Sequence, residues 1–503
     1  MNYPVWDVAI GGGLLIAIVS IVHVFVSHFA IGGGLYLVVC ERGARKSGDA
    51  RRLEFLEGLS RFFALTSLVV GALTGVGIWF TIGLLNPAAT EVLIHNFVWG
   101  WAIEWTFFAV EITAALLYYY GWKRMTPRHH MAVGWIYFVA AWLSLFVING
   151  IITFMLTPGR WLVTGDFWDG FFNPTFWPSL FFRTGVCIML AGIYSLLVAS
   201  RYDPDRFKER LVRLNALWGL AGLLIMAPSF FSYWKAIPPK VLETAVQKMP
   251  VPLTAAHIAY GLTAAIAGVL ILFGLGLPRR FHLALGLGTM ALGLVWFGSF
   301  EWFRESLRKP YIISGYMYGN ALEVAKEDSY RSGGLLAAMR FRTGDPGADL
   351  FRRACRSCHT LNGYNRLDRA FAGTDPQFIA AAVGLTPRLK GNMPPFLGTP
   401  PEAAAIADHI YRSVDRRPLA EIYGLQGTAL GRKVYEIRCA LCHAVGGPSD
   451  KVPQLRDLGP QDIGSLLDMA SQLGDGMPAF TARDDERRAM IEYITTSASG
   501  AQR

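Results

Sequence analysis

The chain is short of cysteine. Its 503 residues hold six, and four of those fall in two five-residue motifs, so no disulfide framework can be built from the remainder. Cys40 and Cys187 lie in or at the end of apolar stretches far apart in sequence, where they read as core residues rather than a disulfide pair. Charge is scarce too: Asp, Glu, Lys and Arg make up 17% of the chain against 53% hydrophobic residues. With a mean hydropathy of +0.34, this excludes an ordinary soluble protein. The carboxyl-terminal part lacks long apolar runs. Stretches of about 20 residues, enough to cross a bilayer, end near Trp302, and charge thickens beyond it. The start, Met1-Asn2-Tyr3-Pro4, has no basic segment of the kind that opens a cleaved signal, so the first apolar stretch is expected to be retained. The net charge of +10 would suit an anionic partner such as a nucleic acid, but much of it sits in short connections between apolar stretches, which argues against one.

Eight apolar segments are present, at about 8–40, 60–86, 93–121, 129–157, 177–200, 212–234, 253–276 and 281–302. The connections after the first, third, fifth and seventh carry sixteen basic residues: Arg42, Arg45, Lys46, Arg51, Arg52, Arg61; Lys123, Arg124, Arg128; Arg201, Arg206, Lys208, Arg210, Arg213; and Arg279, Arg280. The opposite connections carry only Arg160, Lys235, Lys240 and Lys248. The positive-inside rule places both termini outside. The reading is an all-α protein, with an eight-helix transmembrane bundle over residues 1–330 and a water-exposed tail. Gly- and Pro-rich punctuation at 331–347 and at Asp415-Arg416-Arg417-Pro418 divides the tail into modules at 341–417 and 424–500.

Each module holds Cys-x-x-Cys-His: Cys355, Cys358 and His359 in the first, Cys439, Cys442 and His443 in the second. Two thiols one helical turn apart can form thioethers to a single porphyrin, and the adjacent histidine then lies under the iron. A methionine next to proline follows 34 residues after each histidine, at Met393 and Met477. A short helix is expected before each motif (347–359, 427–443) and another after each methionine (401–414, 482–496). This resembles the class I cytochrome c pattern over nearly all of 341–500, with two covalent haem c groups ligated by His359/Met393 and His443/Met477. Met469 is a rival for the second methionine position. A zinc site would need more ligands than stand nearby. Haem c is attached on the outer face of a bacterial inner membrane, so the tail is expected in the periplasm, in agreement with the charge rule.

Ionisable residues deep in a span are costly and usually functional. His23 and Glu104 lie at similar depth, roughly 16–22 Å from the outer face. Glu111, seven residues after Glu104, shares its helix face two turns deeper and suits a proton path. The membrane part resembles subunit I of cytochrome bd-type oxidases. The resemblance is carried by His23-Val24-Phe25-Val26-Ser27-His28 running on to Glu41-Arg42, by Gly71-Ala72-Leu73-Thr74-Gly75, by Ala102-Ile103-Glu104 through Glu111, by His130-Met131 and Asn149-Gly150, and by Arg308-Lys309-Pro310-Tyr311. It implies one or two haem b-type (or haem d) groups in the membrane, with His23 as a ligand, Glu104 ligating or flanking a second haem, and Glu111 feeding protons. The two acidic residues are one position closer than is usual for the family, which bears on Glu111.

The chain also departs from that family. Arg183-Thr184 stands where a haem-ligating His-Thr is expected, and Ala259 stands where the partner methionine belongs. The low-spin haem is therefore expected to be absent, with His257 free to support some other haem. The outer loop that would bind quinol is reduced to about 233–252. His28 and His95 read as polar interface residues, and the Trp and Tyr residues near segment ends as interfacial belt. The expected protein is a membrane oxidoreductase. It would take electrons from a periplasmic cytochrome c or similar donor, through two c haems, to a haem that reduces oxygen. Reduction of nitric oxide at the same site, and a relay between quinol or a membrane partner and periplasmic carriers, remain alternatives, as does a second membrane subunit beside the surrounding lipid.

Overall fold

The computed structural model describes residues 5–239, 241–243, 250–389, 392–446, 449–455, 457–474 and 476–497. Among the described residues, eight helices are long and apolar enough to cross a membrane: α1 (Gly12–Ser47), α2 (Ala50–Leu85), α3 (Val98–Gly121), α4 (Pro127–Phe154), α5 (Phe176–Ala199), α6 (Arg206–Ala236), α7 (Pro252–Gly276) and α8 (Leu283–Arg308). Each matches an expected segment, although the third begins later. Residues 87–96 form a separate helix ahead of it, and His95 belongs to that helix. Part of the 233–252 connection, including Lys240 and Lys248, lies outside the described residues.

The ends of these helices follow from local chemistry. α1 stops at Gly48, which takes the left-handed conformation (φ 67°), and Arg45 and Lys46 in its last turn face the negative end of the helix dipole. Thr126 and Asp205 cap α4 and α6 by accepting backbone N–H groups. Helix association inside a membrane relies on close backbone approach at small residues. Gly32 of α1 meets the backbone of Cys187 on α5, and Gly34 meets the Tyr137 ring of α4, where a Cβ atom would clash. These contacts make α1 a packing axis, so side chains one or two turns away on it are held firmly.

Beyond α8 the chain forms a small antiparallel hairpin, β1 (Tyr311–Ile313) with β2 (Met317–Tyr318), pairing Tyr311 with Tyr318. The tail contains α9 (Pro346–Ala354), α10 (Pro400–Tyr411), α11 (Gly427–Arg438) and α12 (Asp484–Ser497). Two separate apolar clusters form there, one spanning Tyr318 to Val414 and one Ala372 to Ile494.

The halves of the tail repeat with an 84-residue offset, and the repeat extends to individual contacts. Gly347 packs on the Ala405 carbonyl as Gly431 packs on that of Ala489. Glu402 accepts the backbone N–H of Leu335 at 3.0 Å, and Glu486 accepts that of Leu419 at 2.9 Å. Glu402 also accepts from Leu336 and Thr399, both at 2.8 Å. Burial pushes its pKa up, but these backbone donors outweigh it and hold the carboxyl below its usual value. That stabilisation is present above the ordinary carboxylate range and is lost as pH falls through the depressed value. Glu402→Gln should therefore cost about 1–3 kcal/mol near neutral pH, with the deficit shrinking in acid. Thermal unfolding followed at several pH values checks this; a deficit independent of pH would refute it.

Candidate functional site

Three groups of residues stand out. The first is His23, half-buried on α1 against α2. Its Nδ1 lies 3.2 Å from the Gly71 carbonyl and 3.2 Å from Thr74 Oγ1. A carbonyl can only accept, so Nδ1 carries the proton and Nε2 keeps its lone pair. Metal-bound histidines are held in this way, by an acceptor on the ring nitrogen that does not bind the metal. Gly71 closes a π-helical run, Leu65–Gly71, a feature frequent at functional sites. Gly75 makes room for the ring: a Cβ there would stand 3.1 Å from His23 Cε1. The residues present fit an imidazole-ligated haem on this criterion.

The second group is acidic and lies along α3. Ser144 donates to Glu104 at 2.9 Å, and Tyr137 donates to Glu111 at 3.1 Å. The Tyr137 hydroxyl also lies 3.1 Å from the Ala30 carbonyl of α1, two turns below His23. His23 thus leans on α2 while the carboxylates lean on α4, and Tyr137 joins the acidic face to α1. Deeper still is a cluster that sequence reasoning placed in the family pattern without assigning it a role. Glu41 and His130 are both fully buried, with Glu41 Oε1 2.8 Å from His130 Nδ1. Tyr118 donates to the same carboxylate at 2.7 Å, as does Arg45. His130 Nε2 lies 2.9 Å from the Tyr118 carbonyl. Both ring nitrogens of His130 therefore face oxygen atoms, the Glu41 carboxylate on one side and the Tyr118 carbonyl on the other. Between Tyr118 and Tyr137 lies a cavity of about 10 Å³, also lined by Gly34, Leu37, Phe63, Ala115 and Gly134, large enough for about one water.

The third group comprises the two Cys-x-x-Cys-His loops. In both, the histidine Nδ1 contacts the carbonyl six residues later: His359 to Asn365 at 3.1 Å, His443 to Ser449 at 2.9 Å. As at His23, Nε2 would then be the nitrogen to bind an iron, and both loops fit haem c. Burial pushes the Cys355 and Cys439 thiols up to about 12. Met393 and Met477 sit half-buried in irregular segments, whereas the rival Met469 is 43% exposed at the end of its helix. Among the described residues, no group of three or more His, Cys, Asp or Glu side chains is placed to hold a metal ion on its own.

Other singled-out residues fall elsewhere. Arg183 is buried on α5, 3.6 Å from Glu301 of α8, and Glu301 also pairs with Arg304 at 2.7 Å. Sequence reasoning missed Glu301; a carboxylate close to the end of an apolar run was the available signal. His28 is buried, with Nδ1 2.7 Å from the Val24 carbonyl and Nε2 lacking a hydrogen-bond partner. His257 is exposed on α7, and His95 is exposed with Nδ1 2.9 Å from the Glu91 carbonyl.

A multi-pass helical membrane domain joined to a cytochrome c-like tail defines a haem-based electron-transfer protein. Residues 14–233 match the family model of cytochrome bd terminal oxidase subunit I, and residues 426–494 match that of cytochrome c oxidase, cbb3-type, subunit III. The bd oxidase of Geobacillus thermodenitrificans resembles the chain in fold, with a TM-score of 0.53 and 16% identity over 64% of this chain and 93% of the other. No curated protein matches. The chain thus joins a membrane domain similar to cytochrome bd oxidase subunit I to a region similar to a c-type cytochrome subunit, and haem is the implied cofactor.

Proposed function

We propose that the protein is a terminal oxidase of the bacterial inner membrane with both termini and the tail in the periplasm. It takes electrons from a periplasmic cytochrome c or similar carrier and reduces oxygen. Two haem c groups are held by Cys355, Cys358, His359 and Met393 and by Cys439, Cys442, His443 and Met477, and one or two haem b-type (or d) groups lie in the membrane domain. The observation that carries this reading is the setting of His23: its Nδ1 is pinned by Gly71 and Thr74, on the same helix whose outer end touches the first Cys-x-x-Cys-His loop.

When bound, a haem with a vacant iron position supplies the reduction of oxygen. The chain provides the rest. Gly71 and Thr74 fix the His23 ring so that Nε2 is the ligand atom. Glu104, held by Ser144, stands on the outer half of α3. Glu111 and Tyr137 hold a proton two turns deeper. Glu41 and His130, near the inner ends of α1 and α4, supply protons through the small cavity beside Tyr137. Electrons arrive from outside rather than from quinol. In support, the ion pair of Arg183 with Glu301 fills the place where the family resemblance would put a low-spin haem ligand.

The test is a carbon monoxide difference spectrum of the reduced protein, with oxygen consumption measured on quinol and on reduced cytochrome c. A carbon monoxide-reactive membrane haem with turnover on cytochrome c is expected. Only six-coordinate haem, blind to carbon monoxide, would favour the relay instead. Met393→Ala and Met477→Ala should each lower the potential of one c haem and slow cytochrome-driven turnover. Unchanged potentials in a redox titration would remove those methionines as ligands.

A further inference from the structure

The two haem-bearing loops have different neighbours. Arg356, between the cysteines of the first, donates from Nη2 to the Val8 carbonyl at 2.6 Å and pairs with Asp7. A Cβ on Gly13 would stand 3.0 Å from the Ser357 carbonyl oxygen, and one on Gly11 3.1 Å from Thr360 Cγ2. Gly363 rests on the Ala9 carbonyl. The first loop is thus pressed against the outer end of α1, the helix that carries His23 eleven residues below Gly12, about 16 Å along the axis. The helix leading into that loop is tied to the end of the hairpin. Asn320 donates to the Ala354 carbonyl at 3.3 Å, and Arg353 donates to the carbonyls of Asn320 and Ala321, each at 3.2 Å.

The second loop faces its sibling. Leu441, between Cys439 and Cys442, packs against the core of the first module. Gly476, beside Met477, has Leu385 against it, 2.9 Å from where a Cβ would lie. Arg438 donates to the Gly373 carbonyl, and Thr481 to Asp375 at 2.9 Å. At the position equivalent to Arg356 the second loop has Ala440, so it lacks the residue that clamps the first.

We infer that the two modules work in series: the second receives electrons from the soluble carrier, and the first, clamped by Arg356, delivers them to the membrane domain. The inference rests on the functional reading above for the membrane haem and for the soluble donor. Each transfer moves one electron. The carrier is oxidised as the second module is reduced, the second is reoxidised by the first, and the first by the membrane domain. Arg356 is a positioning residue in this scheme, holding its loop over α1.

The test is rapid mixing of the oxidised holoprotein, without oxygen, with ascorbate-reduced soluble cytochrome c. Dithionite-reduced spectra of Met393→His and Met477→His assign each c-haem band beforehand, and the kinetics are followed in the protein with both methionines intact. The second module should be reduced first, then the first, then the membrane haem. Arg356→Ala should slow only the last phase, at least about tenfold, since small misplacements cost that much or more. Both c-haem potentials should stay unchanged, and Arg356→Lys should recover part of the rate. Reduction of the first module ahead of the second would overturn the order, and a normal last phase in Arg356→Ala would overturn the clamp. A protein with both c haems reduced and no membrane haem at all would instead defeat the functional reading.

Discussion

Replacing His23 by alanine is expected to abolish oxygen consumption while leaving the absorption of both covalent haems intact. The ring is the one half-buried imidazole on α1 whose Nδ1 is engaged by two groups from a neighbouring helix. Alanine removes the ring nitrogen that would bind the iron, while the Gly71 carbonyl keeps the Thr74 hydroxyl 3.1 Å away. Thr74→Val is the graded companion. It keeps the Gly71 contact but removes the second acceptor, and loss of such an outer-shell partner weakens metal sites by about 10–100-fold. Haem-to-protein ratios and the carbon monoxide difference spectrum measure both effects. Oxygen uptake surviving in His23→Ala would remove this residue from the site.

Glu111→Gln should lower turnover by about a hundredfold, the scale of a lost proton-transfer group, without altering reduction of the membrane haem by the c haems. Glutamine can still accept from Tyr137, so packing is kept and only the exchangeable proton is lost. Tyr137→Phe should give a smaller loss, because it breaks the link to Glu111 and Ala30 but leaves the carboxylate in place. Proton uptake followed with an indicator dye during a single turnover separates these effects from electron delivery. Wild-type proton uptake in Glu111→Gln would show that the acidic face of α3 is not the route.

Several site features were legible as pattern. The seven-residue spacing fixed Glu104 and Glu111 on one helix face, and both do lean on α4. The 34-residue spacing marked a duplicated plan in the tail, and the 84-residue offset of the contacts extends it. What escaped were long-range pairings. Glu41 and His130 are 89 residues apart, and Arg183 and Glu301 are 118 apart. Neither pairing has a local signature, because the partners meet only once separate helices pack. His28 shows the limit from the other side: its position on α1 suggested an interface polar residue, whereas packing buries it with an unpartnered Nε2.

By itself, the sequence determined the number of spans, the two Cys-x-x-Cys-His loops and the face of α3 that carries Glu104 and Glu111. Those follow from hydropathy, local spacing and helix period, which act within a few turns. Only the tertiary structure decided which ring nitrogen of His23 is engaged, that Tyr137 bridges α1 and α3, and which loop rests on the membrane domain. Such contacts depend on which helices come close, and in a membrane bundle that is set by backbone approach at residues such as Gly32 and Gly34 rather than by any local pattern.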